Sequence, residues 1–308
     1  CYWLAEIYLK SRLKKTRIAA KWYATALALG EPLALAPACQ VAVEDFRDLQ
    51  YQIGLVYTDG KITQCDLAEA ACWYEKAANL GHVLAQVAFA DDLYQRLGAH
   101  DRALQWYQKA ADAGDLEAAY QAGCLNEFFQ CLDEAVYYMS LAAKSKHYKA
   151  LKWLEHQEPH LQSAAYCLAQ MYENGEGVTR SMDTAIEKYA FLVRQGYENA
   201  LQQLLWLAGN RNYRAILVMA DLSESYFTDM KDATKWHDMA VEFYDDKKSI
   251  QWIYDQACVG LQEAHDALKS LADRLNRADL QYLYGLLSAL VKNNRIAWIY
   301  MALSAAQE

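Results

Sequence analysis

The chain has 308 residues, 54% hydrophobic and 22% charged, with 3 Pro, 13 Gly and a formal net charge of -9. It is too apolar and too aromatic for disorder, and too poor in proline for a turn-rich sandwich or propeller. The acidic balance argues against generic nucleic-acid binding, and no run of about 18 uncharged apolar residues marks a membrane span.

The N-terminal Cys1-Tyr2-Trp3-Leu4 reads as the inside of an amphipathic helix. No basic segment followed by an apolar core precedes it, so the numbered chain reads as a fragment or a processed product. Leu4-Ala5 with Tyr8 opens a frame of a large residue, a small one and, three further on, an aromatic. The only basic run, Lys10 to Arg17, is expected to form the loop into a second helix. That helix carries Ala19, Trp22, Tyr23 and Ala26, and closes at Gly30. Glu31 to Val43 is an extra segment.

The clearest copy follows. Ile53-Gly54 with Tyr57 lies on one helix, and Asp59-Gly60 ends it. Asp66, a good N-cap, opens a second helix with Ala70, Trp73, Tyr74 and Ala77, and Gly81 closes it. Phe89-Ala90 is then paired with Ala103, Trp106, Tyr107 and Ala110 before Gly114. Ala122-Gly123 is paired with Ala135, Tyr138, Met139 and Ala142. Ala150 to Leu154 looks like a first helix without its own second helix. Leu168-Ala169 with Tyr172 is paired with Ala185, Lys188 and Tyr189 before Gly196, and Ala200 to Leu207 is a second lone helix. Met219-Ala220 is paired with Ala233, Trp236, His237 and Ala240; Tyr284-Gly285 is paired with Trp298 and Ala302. Ser249 to Leu275 fills the gap between these last two copies.

Positions three and four apart share one helix face. Gly or Ala on that face lets a neighbouring helix come close, and a large ring fills the space beside the contact. A short turn reverses the chain into an antiparallel hairpin, and one hairpin cannot bury its apolar face alone. The pattern predicts an all-α protein, an α-solenoid of stacked antiparallel helix pairs.

The pattern resembles the Sel-one-like repeat family, relatives of tetratricopeptide repeats. Residues 49–85 carry Gly54, Tyr57, Gly60, Asp66, Ala70, Trp73, Tyr74, Lys76, Ala77, Ala78 and Gly81 in the family frame. Residues 164–200 carry Ala164, Leu168, Tyr172 and the loop Asn174-Gly175-Glu176-Gly177-Val178, with Lys188 in place of Trp. The resemblance covers nearly the whole chain and implies a right-handed α-solenoid. It implies one continuous array over 1–308 with about seven repeats, at 1–30, 47–81, 85–114, 118–146, 163–196, 215–243 and 278–305. Half-repeat insertions are expected near 31–46, 147–162, 199–212 and 249–275. The charged, Pro-containing stretch around 145–162 is the weakest point and a candidate bend.

No motif for chemistry stands out. There is no phosphate-binding Gly loop, and Gly175-Glu176-Gly177 is a turn between helices. His147, His156, His160 and Cys167 form the densest candidate metal cluster, but Pro159 interrupts the helix that would align them. The eight cysteines are too sparse for a disulfide scaffold, and are read as small buried hydrophobes in a reducing compartment. Cys65/Cys72 and Cys124/Cys131, on single helices, would be about 10.5 Å apart along the axis, beyond the roughly 4.4–6.8 Å a disulfide spans. Some relatives with a regular cysteine pair in each repeat were proposed to have beta-lactamase-like activity; Ala78 and Ala85 stand at those places here, so nothing of that kind carries over. No catalytic, cofactor or metal residue is assigned.

The expected function is a non-enzymatic scaffold or adaptor that binds another protein or peptide on a concave face. First helices of such arrays usually line that face. The residues expected to point outward there are Tyr51, Gln52, Val56, Gln86, Asp92, Tyr120, Gln121, Leu125, Tyr166 and Gln170. Tyr51, Tyr120 and Tyr166 could equally pack between repeats. The alternatives are an envelope-associated hydrolase, or a permanent structural subunit of a secretion or polysaccharide-export complex. The resemblance points to bacterial adaptor roles and leaves a periplasmic or exported location open beside the cytoplasmic one.

Overall fold

The computed structural model describes residues 1–10, 15–43, 46–290, 299–300 and 303–305. Trp298, Ala302 and residues 11–14 of the basic run lie outside the described residues. Among those described, the chain is all-α and contains no strand. It divides into two compact units, Cys1–His156 and Gln157–Glu308, within the charged stretch around 145–162.

In the first unit, α1 (Tyr2–Lys10) pairs with α2 (Thr16–Ala28), and α3 (Leu35–Val41) follows a short 3-10 turn. Three hairpins come next: α4 (Arg47–Asp59) with α5 (Leu67–Asn79), α6 (Val83–Gln95) with α7 (His100–Asp112), and α8 (Leu116–Phe128) with α9 (Leu132–Lys144). The lone α10 (Tyr148–Gln157) closes the unit. In the second unit, α11 (Gln162–Asn174) pairs with α12 (Met182–Arg194). The lone α13 (Glu198–Gly209) leads to α14 (Tyr213–Ser225) and α15 (Met230–Tyr244). The segment expected as a half-repeat near 249–275 holds two helices, α16 (Lys247–Val259) and α17 (Gln262–Leu275). Then α18 (Ala278–Leu290) buries Tyr284 and Gly285. Each unit is a stack of antiparallel helix pairs, the α-solenoid class that the repeating pattern predicts.

Local chemistry sets the helix ends. The Asp66 carboxylate accepts from the Ala68 and Glu69 amides, both at 3.0 Å, and Asp115, Ser181, Asn212 and Asp229 cap α8, α12, α14 and α15 in the same manner. The turn after α5 needs a left-handed residue, and Gly81 supplies it at φ 78°. The equivalent turn after α9 has no glycine, and Lys146 adopts φ 70° there.

The two members of the aromatic pair have different tasks. The second faces its own hairpin partner. A Cβ added to Gly54 would sit 2.5 Å from Tyr74 Cε1, and one added to Gly123 would sit 2.8 Å from Met139 Cγ. A side chain at either position would therefore require the Tyr74 ring or the Met139 side chain to move. Tyr23, Tyr107 and Tyr189, at the same position of the frame, are buried, and so are Ala5, Ala90 and Ala169 on the helices they pair with. The first member reaches the preceding repeat. Trp106 packs on Ala77, Ala78 and Ala85, and Trp73 joins the core that holds Ala42, Ile53 and Val56. The lysine three residues on then covers the outer face of the indole: Lys76 and Lys109 Nζ each lie 3.9 Å from the ring centroid of Trp73 and Trp106.

Candidate functional site

The first helices of the hairpins carry the residues expected to meet a partner. The structure divides them into three groups. Val56, Gln86 and Leu125 are buried, against the outward direction expected of them. Gln86 turns inward, and its Nε2 donates to the Ala78 carbonyl at 3.3 Å, an oxygen at the end of α5 that also accepts from the Gly81 amide. Gln50 does the same for Ala42 one repeat earlier, at 3.0 Å. Val56 and Leu125 face the preceding helix pair: Val56 joins the core that holds Tyr23 and Ala42, and Leu125 lines a hollow beside Tyr107.

Tyr51, Tyr120 and Tyr166 are half-buried between repeats. Tyr51 stacks on His82 with centroids 4.4 Å apart, Tyr120 lies on His147 at 4.5 Å, and Tyr166 on Tyr197 at 5.4 Å. The first two form a duplicated clasp that sequence reasoning missed. His82 Nδ1 accepts from the Ala85 amide at 3.2 Å, and His147 Nδ1 accepts from the Ala150 amide at 3.3 Å. Each ring thereby caps a helix, and its proton sits on Nε2. That atom lies 3.8 Å from Asp48 in one clasp and 3.4 Å from Glu117 in the other. The trace they leave in the sequence is an acid three residues before the tyrosine and a histidine after the next closing turn. Burial pushes the His82 pKa down, and Tyr120 is pushed up to about 12, also by burial first.

The third group stays at the surface. Gln52, Asp92, Gln121 and Gln170 are half-exposed. Asp92 is held by Arg96 through contacts of 2.6 and 2.8 Å. Two hollows of the first unit take in four of the nominated residues. One, of about 640 Å³, lies between the end of α2 and the α4 helix, with Leu29, Gln52, Val56, Asp59 and Ile62 in its walls. The other, of about 280 Å³, lies between α6, α7 and α8, with Tyr94, His100, Tyr107, Gln121, Leu125 and Phe128 in its walls.

Behind the smaller hollow, the Tyr107 hydroxyl donates to Asp91 at 2.5 Å. Burial raises the Asp91 pKa, the tyrosine proton opposes this, and Glu117 and Asp115 add to the rise. Burial and Asp91 together push the Tyr107 pKa up. Equivalent hydroxyl–carboxylate pairs close two other hairpins, Tyr23 with Glu6 at 2.5 Å and Tyr189 with Glu173 at 2.7 Å.

Among the described residues, no group of three or more His, Cys, Asp and Glu is arranged to hold a metal ion. His147 is engaged in its clasp, while His156 and His160 are exposed. The cysteines are free thiols, and the reading of them as buried hydrophobes is corrected: Cys65, Cys72, Cys131 and Cys258 are exposed, and Cys1, Cys39, Cys124 and Cys167 are half-buried. Among the described residues, no helix is long and apolar enough to cross a membrane.

The family model described as Sel1 repeat matches residues 1–31, 48–82, 99–115, 132–147, 162–187 and 278–308, half of the chain. No curated protein matches the sequence. Among solved structures, a Sel1 repeat protein from Oxalobacter formigenes is similar at 21% identity and a TM-score of 0.41, over 78% of this chain and 94% of that one. A protective antigen present in uropathogenic Escherichia coli strains, displaying an SLR fold, is similar at 18% identity and a TM-score of 0.36, over 100% of this chain and 79% of that one.

Proposed function

Since the chain belongs to the Sel1 repeat family, whose members generally mediate protein–protein interaction, we propose that it is a non-enzymatic adaptor that binds a partner on the first-helix surface of its first unit. The observation that carries this reading is the pair of hollows on α4 and on α6 to α8, each lined by both apolar and polar side chains. Such a combination suits anchoring side chains of a peptide or protein. Gln52 stands in one hollow and Gln121 in the other, both free of any core role.

The intact chain serves as bait in its native host, beside Gln52→Arg and Gln121→Arg variants that melt at the wild-type temperature. The expected result is a protein captured in near-equal amount by the wild type and depleted several-fold by at least one variant. Identical capture by all three baits contradicts this placement of the site.

A further inference from the structure

The hollow between α6, α7 and α8 has the chemistry to choose its occupant. Three of its walls are rings: His100 is tilted against Tyr94 at 4.9 Å and against Phe128 at 5.6 Å. Phe128 is 66% exposed and Tyr94 42% exposed, so both present ring surface to an incoming group. Aromatic faces carry partial negative charge and attract cations.

Beside the His100 imidazole and the Cys124 thiol, the Tyr107 and Gln121 side chains offer acceptors. Tyr107 gives its only hydroxyl proton to Asp91, which leaves its oxygen lone pairs to accept. Gln121 Nε2 donates to Glu117 Oε1 at 3.0 Å. A carboxylate accepts only, so the amide must face it with nitrogen, and the Gln121 carbonyl oxygen is left for another donor. Asp91 is half-buried, and its charged neighbours are Glu117 and Asp115.

The nearby cations are engaged elsewhere. Arg96 is held by Asp92, Lys109 covers Trp106, and Arg102 leans toward Glu75 at 3.9 Å. The hollow therefore combines aromatic faces and free acceptors with no lysine or arginine in its walls, and the Asp91 carboxylate lies behind Tyr107. An apolar side chain would fill the volume but leave those acceptors unmet, and an acidic one would be repelled. The volume, about 280 Å³, falls just below the roughly 300–1,000 Å³ of small-molecule sites and suits a single long side chain.

We propose that this hollow is a socket for the arginine or lysine side chain of a basic partner peptide, with Tyr94 and Phe128 stacking on the cation and Tyr107 and Gln121 accepting its protons. This rests on the interaction reading above and adds the charge of the partner. Arginine is the better fit, because its planar fork stacks on rings and donates sideways at the same time.

The test uses the intact chain and immobilised seven-residue peptide libraries whose central residue is fixed as Arg, Lys, citrulline, Leu or Glu. Retention on the Arg library is expected to exceed that on the citrulline, Leu and Glu libraries by about tenfold, with Lys between. Phe128→Ala and Tyr94→Leu are expected to remove most of that preference. Both positions are exposed, so the variants should keep the wild-type melting temperature. Cys72→Ser, on the exposed face of a second helix, should bind the Arg library as the wild type does. Preference for Leu, equal retention of citrulline and Arg, no retention of any library, or an Arg preference untouched by both aromatic variants would each overturn the socket. A partner captured from the host through an uncharged segment would overturn the socket and leave the adaptor reading standing; a chain that captures nothing would remove the adaptor reading itself.

Discussion

At the residue scale, the fold turns on a few positions where a side chain has no room. Gly54 is the sharpest, because the Tyr74 ring occupies the place of its missing Cβ. Gly54→Ala should destabilise the chain by about 1–3 kcal/mol through overpacking. The same change in a Tyr74→Leu background should cost much less, since the ring that it strikes is gone. Urea unfolding of the four chains measures the coupling, and additive costs would mean that the ring and the glycine do not meet. His237 is a second such position. Its ring stacks on Trp252 at 4.1 Å, its Nδ1 lies 2.9 Å from Ser249 Oγ, and burial pushes its pKa down to about 4. A histidine held neutral in the fold contributes its full stability above the unfolded value of about 6.5 and loses it as the pH falls toward 4. Between those limits the wild type should lose up to about 3 kcal/mol that a His237→Gln variant keeps. Parallel pH profiles of the two chains would contradict a buried neutral ring.

At the element scale, the unit is a hairpin closed twice, by ring against small residue and by hydroxyl against carboxylate. Tyr189 is fully buried and donates to Glu173, which also receives Gln203 Nε2 at 2.8 and 3.0 Å. Tyr189→Phe should cost about 1–2 kcal/mol by leaving that carboxylate short of a donor, and thermal melts measure the loss. No change would show that the pair adds nothing. The hairpins were legible because an Ala or Gly frame with a Trp–Tyr pair recurs at helical spacing. The lone helices α10 and α13 were legible for the opposite reason, as first-helix patterns with no aromatic pair after them. The clasps of Tyr51 on His82 and Tyr120 on His147 were harder to read. They join residues of different repeats, and the pattern within one repeat does not reveal a contact with the next. Gln86 misled for a related reason: its type suggests solvent, but the carbonyl that it answers lies across a turn, eight residues back.

At the scale of the whole molecule, the sequence pattern predicts helix pairs stacked in series, and within each unit that is the arrangement found. The candidate surface was only partly legible. Gln52 and Gln121 were reached by counting from the small residue, and both stand in hollows. His100, Tyr94 and Phe128 were not, because they come from three helices whose ends meet only once the Arg96–Ala99 turn has brought α7 back beside α6. The account assigns partner binding to first helices and the buried aromatic pair to second helices. Site-resolved crosslinking tests that division most directly, with a photoreactive residue placed in the intact chain at Gln52 or Gln121, or at the exposed second-helix positions Cys72 and Asp112, in the native host. The account predicts crosslinks to a partner protein from 52 or 121 and none above background from 72 and 112. Partner crosslinks from 72 and 112 alone would contradict it.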